Sequence, residues 1–222
     1  MLLAGGNVHG RLLLREIGAA GLKIDVVVNE VGTERAAKLS TWLTNQTDYP
    51  DRFETLLLQA GRDYIEVDHY HGAVARQVLS SLRPDYVVNG GCGILREDFL
   101  NIPSAGFLNA HPGLLPQYRG LDPVLWALAE DGELGATVHV MTTGIDEGPI
   151  LARSAMDSPR GNDLVGIRLS CMQHGAQLLA DVLKQPEKYP PVPQNLQHAR
   201  YFPAFPTERI AELNVKLFGH RP

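Results

Sequence analysis

Apolar positions along this chain fall into two kinds of run. Short β-branched or continuous apolar runs at Met1–Gly5, Ile24–Val28, Tyr64–Val67, Tyr86–Asn89 and the segment ending at Phe107-Leu108 predict buried strands. Between them, helical spacing appears over Arg11–Ala20, Thr33–Thr44 (with Thr33 as cap), Arg52–Gln59 and Gly72–Leu82. Asp122 and Pro123 open a helix to about Glu130, since proline suits the first helical position. Ala136–Met141 and Ile150–Ala155 read as strands. The turn between them, Gly144–Gly148, is too short for a helical crossover, so they should pair antiparallel. From Asn162 to Leu183 a long helix repeats apolar residues with a period near 3.6, Arg168 being the polar exception. Strand–helix alternation behind a glycine-rich first loop predicts an α/β fold, a doubly wound, mostly parallel sheet with an antiparallel edge. The proline-rich stretch 184–193 divides the chain into a body, residues 1–185, and a C-terminal extension, residues 186–222. The extension carries Tyr201-Phe202-Pro203-Ala204-Phe205-Pro206 and a short helix from Thr207. Its aromatics should pack back on the body or onto a second subunit, so a homodimer is possible.

Composition narrows the class. At 222 residues with 44% hydrophobic content, the chain can bury a sizeable core. It contains no run of about 18 apolar residues, which predicts no membrane span. The N-terminal apolar stretch is too short for a signal peptide, so a cytoplasmic location is expected. A net charge of −5 without a Lys/Arg cluster argues for small-molecule partners and against nucleic acid. Cys92 and Cys171 are far apart in sequence and read as buried free thiols.

The candidate chemistry centres on residues 106–120, Gly-Phe-Leu-Asn-Ala-His-Pro-Gly-Leu-Leu-Pro-Gln-Tyr-Arg-Gly. Asn109 and His111 are two apart, and Pro112 keeps the preceding residue extended, so both side chains should face one way at a strand end. Strand ends are where open α/β sheets place their ligand crevices. Asp146, between Gly144 and Gly148, is a third candidate, able to orient an imidazole and favour its protonated form. An amide donor, an imidazole and a carboxylate suit addition to a carbonyl. Two further motifs carry weaker signals. In Gly5-Gly6-Asn7-Val8-His9-Gly10, Asn7 replaces the middle glycine of a dinucleotide loop, so a crevice-lining turn is favoured, although Glu30 lies where a ribose-binding acid would. His69 and His71 alternate but lack a further ligand pair, so no metal is expected. His139 is open to two readings, a crevice group or a packing histidine.

At Asn109-x-His111-Pro112-x-Leu114-Leu115-Pro116, Arg119-Gly120 and Asp146-x-Gly148-Pro149 the sequence resembles the folate-dependent formyltransferases, over about residues 1–185. The resemblance implies a Rossmann-like fold and 10-formyltetrahydrofolate as co-substrate. It also implies catalytic roles for Asn109, His111 (as imidazolium) and Asp146. Gly93, Ile94 and Leu95 would line the folate pocket, with Gly144 also on the folate side. Asn7, His9, Tyr70, His71 and Tyr118 are the candidates for the acceptor side. The first loop lacks the serine of the glycinamide ribonucleotide branch. Leu114-Leu115-Pro116-x-x-Arg119-Gly120 is the methionyl-tRNA branch pattern, but that branch, like the formyltetrahydrofolate hydrolases, carries a further domain. By exclusion a nucleotide-linked amino sugar is the expected acceptor. Another small amine, glycinamide ribonucleotide-like, is the alternative acceptor, and a nucleotide-dependent oxidoreductase and a non-catalytic folate binder are the readings from other classes.

Overall fold

The first strand, β1 (Leu2–Ala4), feeds a helix that begins earlier than the apolar spacing suggests. Asn7 Oδ1 accepts from Gly10 N at 2.9 Å and caps α1 (Val8–Ala19), so His9 lies in the first helical turn rather than in a loop. Leu12, Leu13, Leu14 and Ile17 of α1 are each at most 2% exposed. Burial contributes roughly 2 kcal/mol per such side chain, so packing, not propensity, holds this helix. A computed structural model of the chain describes residues 2–4, 7–30, 55–56, 63–157 and 163–219. The expected helix at 33–44 lies outside the described residues, as does most of the one at 52–59.

The remaining elements follow the predicted order with shifted ends. They are β2 (Val26–Glu30), β3 (Asp63–Val67), α2 (Ala73–Leu82), β4 (Tyr86–Gly90), α3 (Glu97–Leu100), β5 (Gly106–His111), β6 (Arg119–Gly120), α4 (Pro123–Ala129), β7 (Gly135–Val140), β8 (Ile150–Ala155), α5 (Leu164–Lys184), β9 (Tyr201–Phe202) and α6 (Glu208–Phe218). The short helix α3 and the β6–β9 pair carry no pattern that apolar spacing detects. Asp163, not Asn162, caps α5, accepting from Gly166 N at 2.7 Å. Asp122 does not cap α4 with its side chain. It takes a left-handed backbone (φ 49°), and its carboxylate instead accepts from Arg168 Nη2 at 2.7 Å and Phe205 N at 3.0 Å. The polar exception on α5 thus has its partner across the fold.

The main sheet runs β3-β2-β1-β4-β5-β7-β8. The first five strands in that order are parallel, while β7 and β8 are antiparallel. Helices α1 and α5 cover one face, over a core that includes Val27, Val88, Leu108, Val138 and Leu179. α2 and α3 cover the other through Ala75, Leu79, Phe99 and Leu100. β5 is the junction, parallel to β4 on one side and antiparallel to β7 on the other. Its register sets Asn109 opposite His139 and His111 opposite Thr137, and strand alternation puts all four on one face.

The C-terminal extension lies against α4. The Trp126 ring meets Phe202 at 5.0 Å and Phe205 at 4.9 Å between centroids, and its indole N–H donates to Pro203 O at 2.8 Å. Cys92 and Cys171 are buried thiols that form no disulfide among the described residues. No helix among the described residues is long and apolar enough to cross a membrane.

Candidate active site

Four chain segments meet where β5 ends. β5 brings Asn109 and His111, β7 brings His139, and β4 brings Asn89, one residue before its end. The loop after β7 brings Asp146, a non-glycine residue at φ 53°. His111 Nδ1 lies 3.7 Å from Asp146 Oδ2, and His139 Nε2 lies 3.4 Å from Asp146 Oδ1. Gly120 N donates to Asp146 Oδ2 at 2.9 Å.

The hydrogen bonds fix which way each amide and ring points. Asn89 Oδ1 accepts from Gly91 N and Cys92 N, both at 2.9 Å, so its Nδ2 is the group facing Asn109 Oδ1 at 3.1 Å. Asn109 therefore turns its Nδ2 to His139 Nε2 at 3.2 Å. That nitrogen must accept, so the ring proton of His139 is on Nδ1, donated to Val140 O at 3.1 Å. The contact between His139 Nε2 and Asp146 then brings two acceptors together and becomes an ion pair only on protonation. Asn109 keeps its second amide hydrogen for another acceptor. His111 Nε2 donates to the Tyr118 carbonyl at 2.7 Å, leaving the Nδ1 lone pair toward Asp146.

Charge follows from burial. His111 is 4% exposed, and burial lowers its pKa below 6.5 by more than the neighbouring Asp146 carboxylate and the Tyr118 carbonyl raise it. That direction favours a neutral imidazole near pH 7, against the imidazolium that the resemblance implies. Burial also opposes ionisation of Asp146, but the His111 and His139 rings and Gly120 N–H outweigh it and keep the carboxyl well below the usual range. His9 approaches the site from α1. Burial lowers its pKa to about 4, opposed by a ring N–H donated to the Asn89 carbonyl, and the nearby His111 lowers it further.

Several expected positions make contacts within the fold that the sequence did not foretell. Asn7 donates to Gly90 O at 3.1 Å and caps α1, so both ends of its amide are structural. The Tyr118 ring stacks on Phe202 at 5.6 Å, away from His111, and only its carbonyl enters the site. Tyr70 is 4% exposed and belongs to the core beneath α2. His71 Nε2 donates to Ile94 O at 3.0 Å, placing it on the side expected to hold folate rather than the acceptor. Within that loop Gly91 (φ 99°) and Gly93 (φ 76°) need glycine's left-handed freedom. The Ile94 side chain is 69% exposed, while Leu95 is buried in the core and forms the floor of the loop. Gly144 accepts from Thr142 Oγ1 at 3.3 Å and packs against the Glu147 carboxylate, so it shapes the Asp146 loop. Among the described residues no His/Cys/Asp/Glu group is arranged to hold a metal.

Asn89 was not singled out from sequence, although an Asn before a Gly-Gly pair signals a side-chain-to-backbone turn. Gln194, which donates to two carbonyls of the Asp146 loop, has no such signal, and Arg119, on the other side of that loop, is marked only as part of the motif at 114–120. A cleft of about 220 Å³ opens beside His111, lined among others by Pro112, Leu121, Pro123, Arg168 and Met172. The arrangement can donate to an oxygen that gains charge, through Asn109, and receive a proton, through His111 and Asp146.

Sheet order and site together define an α/β protein with an amide, an imidazole and a carboxylate at the parallel-to-antiparallel junction. The formyl transferase family model matches residues 49–183, and the chain belongs to that family. It is 41% identical over 185 residues to a methionyl-tRNA formyltransferase of Chloroflexus aggregans, covering 82% of this chain and 58% of that relative. To the methionyl-tRNA formyltransferase of a Roseiflexus species it is 38% identical over 124 residues, 55% of this chain and 38% of the relative. The chain thus spans 38–58% of the length of these two curated relatives. Among solved structures, the fold resembles glycinamide ribonucleotide transformylase 1 of Symbiobacterium toebii (TM-score 0.61, 22% identity, 82% of this chain and 84% of that one). It also resembles an N-formyltransferase of Helicobacter canadensis, crystallised with folinic acid and dTDP-3-aminofucose (TM-score 0.64, 17% identity, 91% and 70%).

Proposed function

We propose that this chain transfers the formyl group of 10-formyltetrahydrofolate to a primary amine, with Asn109, His111 and Asp146 as the reacting set. The observation that carries the reading is their convergence at the end of β5, in a chain of the formyl transferase family. The amine attacks the formyl carbon and the carbonyl oxygen becomes an oxyanion. The unspent Asn109 N–H donates to that oxygen. The amine, now positively charged, loses a proton to the neutral His111 imidazole, and the imidazolium so formed is stabilised by the Asp146 carboxylate. Collapse of the intermediate expels the folate nitrogen, which takes a proton, and leaves the N-formyl product. The exposed Ile94 and the glycine-rich backbone around it offer a flat, apolar edge for the folate ring.

Two acceptors have specific support. The 41% identity over 185 residues and the Leu114-Leu115-Pro116-x-x-Arg119-Gly120 pattern favour the α-amine of an aminoacyl-tRNA, methionyl-tRNA being the first to test. The amino-sugar nucleotide expected from the sequence is the second reading, motivated by the cleft beside His111, which suits a compact amine. Incubating the protein with 10-formyltetrahydrofolate and each acceptor, with mass detection of the N-formyl product, tests the reaction and separates the two. Turnover unchanged by His111→Ala would refute the assigned chemistry.

A further inference from the structure

The loop that presents Asp146 is gripped from two sides by side chains remote in sequence. On one side Arg119 Nε donates to Ile145 O at 3.0 Å, and its Nη2 pairs with the Glu147 carboxylate. On the other, Gln194 Nε2 donates to both Asp146 O, at 3.0 Å, and Gly148 O, at 2.7 Å. Both acceptors are carbonyl oxygens, so only the amide nitrogen of Gln194 can face them. Gln194 Oε1 is buried and makes no hydrogen bond among the described residues, so the side chain's polar contacts are the two made by its nitrogen. The segment that delivers it is itself anchored. Val192 and Ile150 exchange a pair of backbone hydrogen bonds at 2.8 Å, forming a bridge on the start of β8.

The loop needs such a grip. Asp146 is held at φ 53°, a conformation that costs an L-residue without a local side-chain bond. Among the described residues its carboxylate is oriented by Gly120 N–H and by rings that approach at 3.4 and 3.7 Å, beyond good hydrogen-bond length. A small shift in the loop would carry the carboxylate away from His111.

We infer that Gln194, from the C-terminal extension and outside the region matched by the family, is a positioning residue that holds Asp146 against His111. The extension is on this view part of the catalytic machinery and not only packing for α4. The inference rests on the functional reading above for its consequence in turnover. For its geometry it rests on the hydrogen bonds alone.

The test uses the full chain and two variants, Gln194→Ala, which removes the side chain, and Gln194→Met, which keeps its length but carries neither a donor nor a charge. Turnover is measured with 10-formyltetrahydrofolate and methionyl-tRNA, with dTDP-3-aminofucose in parallel. The His111 ring titration is followed by nitrogen-15 NMR on the free protein. The groups around that ring are Asp146, His139, His9 and the Tyr118 carbonyl, all of which the variants retain. The expected result is a tenfold or greater fall in kcat, with each KM within twofold, and a downward move of the His111 midpoint as the carboxylate withdraws. Folded variants with wild-type kcat and midpoint overturn the inference, as does a rise confined to KM. Unfolding of both variants by circular dichroism also overturns it, because Gln194 would then serve global stability. If the wild type turns over neither acceptor, the functional reading fails, while the His111 midpoint still decides whether Gln194 positions Asp146.

Discussion

Two loops flank the crevice, and they are held in opposite ways. The loop after β4 is organised from within. Asn89 Oδ1 accepts from Gly91 N and Cys92 N, two and three residues on, and Gly91 and Gly93 supply the left-handed backbone. The loop after β7 has no comparable local device at Asp146 among the described residues, and is fixed by Arg119 and Gln194, 26 and 46 residues from the nearest carbonyls they hold. A self-organised loop suits a surface that must accept a flat ligand. A loop held from outside suits a charge whose position relative to one ring decides its effect. The difference makes the first loop sensitive to local substitutions and the second to distant ones.

The sharpest break of the comparison is at Gly148. A Cβ there would sit 1.8 Å from Val140 O, a backbone atom that cannot move without disturbing β7. Gly148→Ala should cost about 3 kcal/mol or more of stability, read from urea unfolding. Asn109→Ala removes the amide donor, and should lower kcat roughly a hundredfold, about 3 kcal/mol of transition-state stabilisation, while leaving the fold intact.

Acidification tests the charge assignment. His9 binds its proton at about pH 4 when folded and near 6.5 when unfolded, so the unfolded state takes up protons first. Stability is therefore present above pH 6.5 and falls between 6.5 and 4, by up to about 3 kcal/mol from this group. His111, also lowered, adds a fall of the same sign. In His9→Gln the slope of stability against pH over this window should flatten. Turnover should likewise fall on acidification, once His111 is protonated and can no longer take the amine's proton. A rate that instead rises on acidification would restore the imidazolium assignment.

The smallest effect is expected at Asn89→Ala. It leaves Gly91 N and Cys92 N without their acceptor, costing about 2 kcal/mol, and releases Asn109 Oδ1. The KM for 10-formyltetrahydrofolate should rise more than kcat falls, in contrast to the Gln194 variants. Equal effects on both parameters would erase the distinction between the loops.

The sequence by itself determined the order of the main-sheet strands and of the longer described helices, the antiparallel edge at Ile150–Ala155, and the shared face of Asn109 and His111. Each of these is a local consequence of side-chain periodicity and proline or glycine chemistry. It also marked Asp146 as a candidate, because a carboxylate between glycines at a strand end is visible without coordinates. What the tertiary structure decided is how those groups are charged and held. Whether His111 is neutral depends on burial by β5, β7 and α1 together. The partner of Asp122 is Arg168, 46 residues on, and the ring of Tyr118 turns to Phe202 instead of the crevice. His71 falls on the Ile94 carbonyl because the loop after β3 crosses the one after β4. Such pairings join elements whose relative placement is set by the packing of the whole sheet, and no spacing along the chain encodes them.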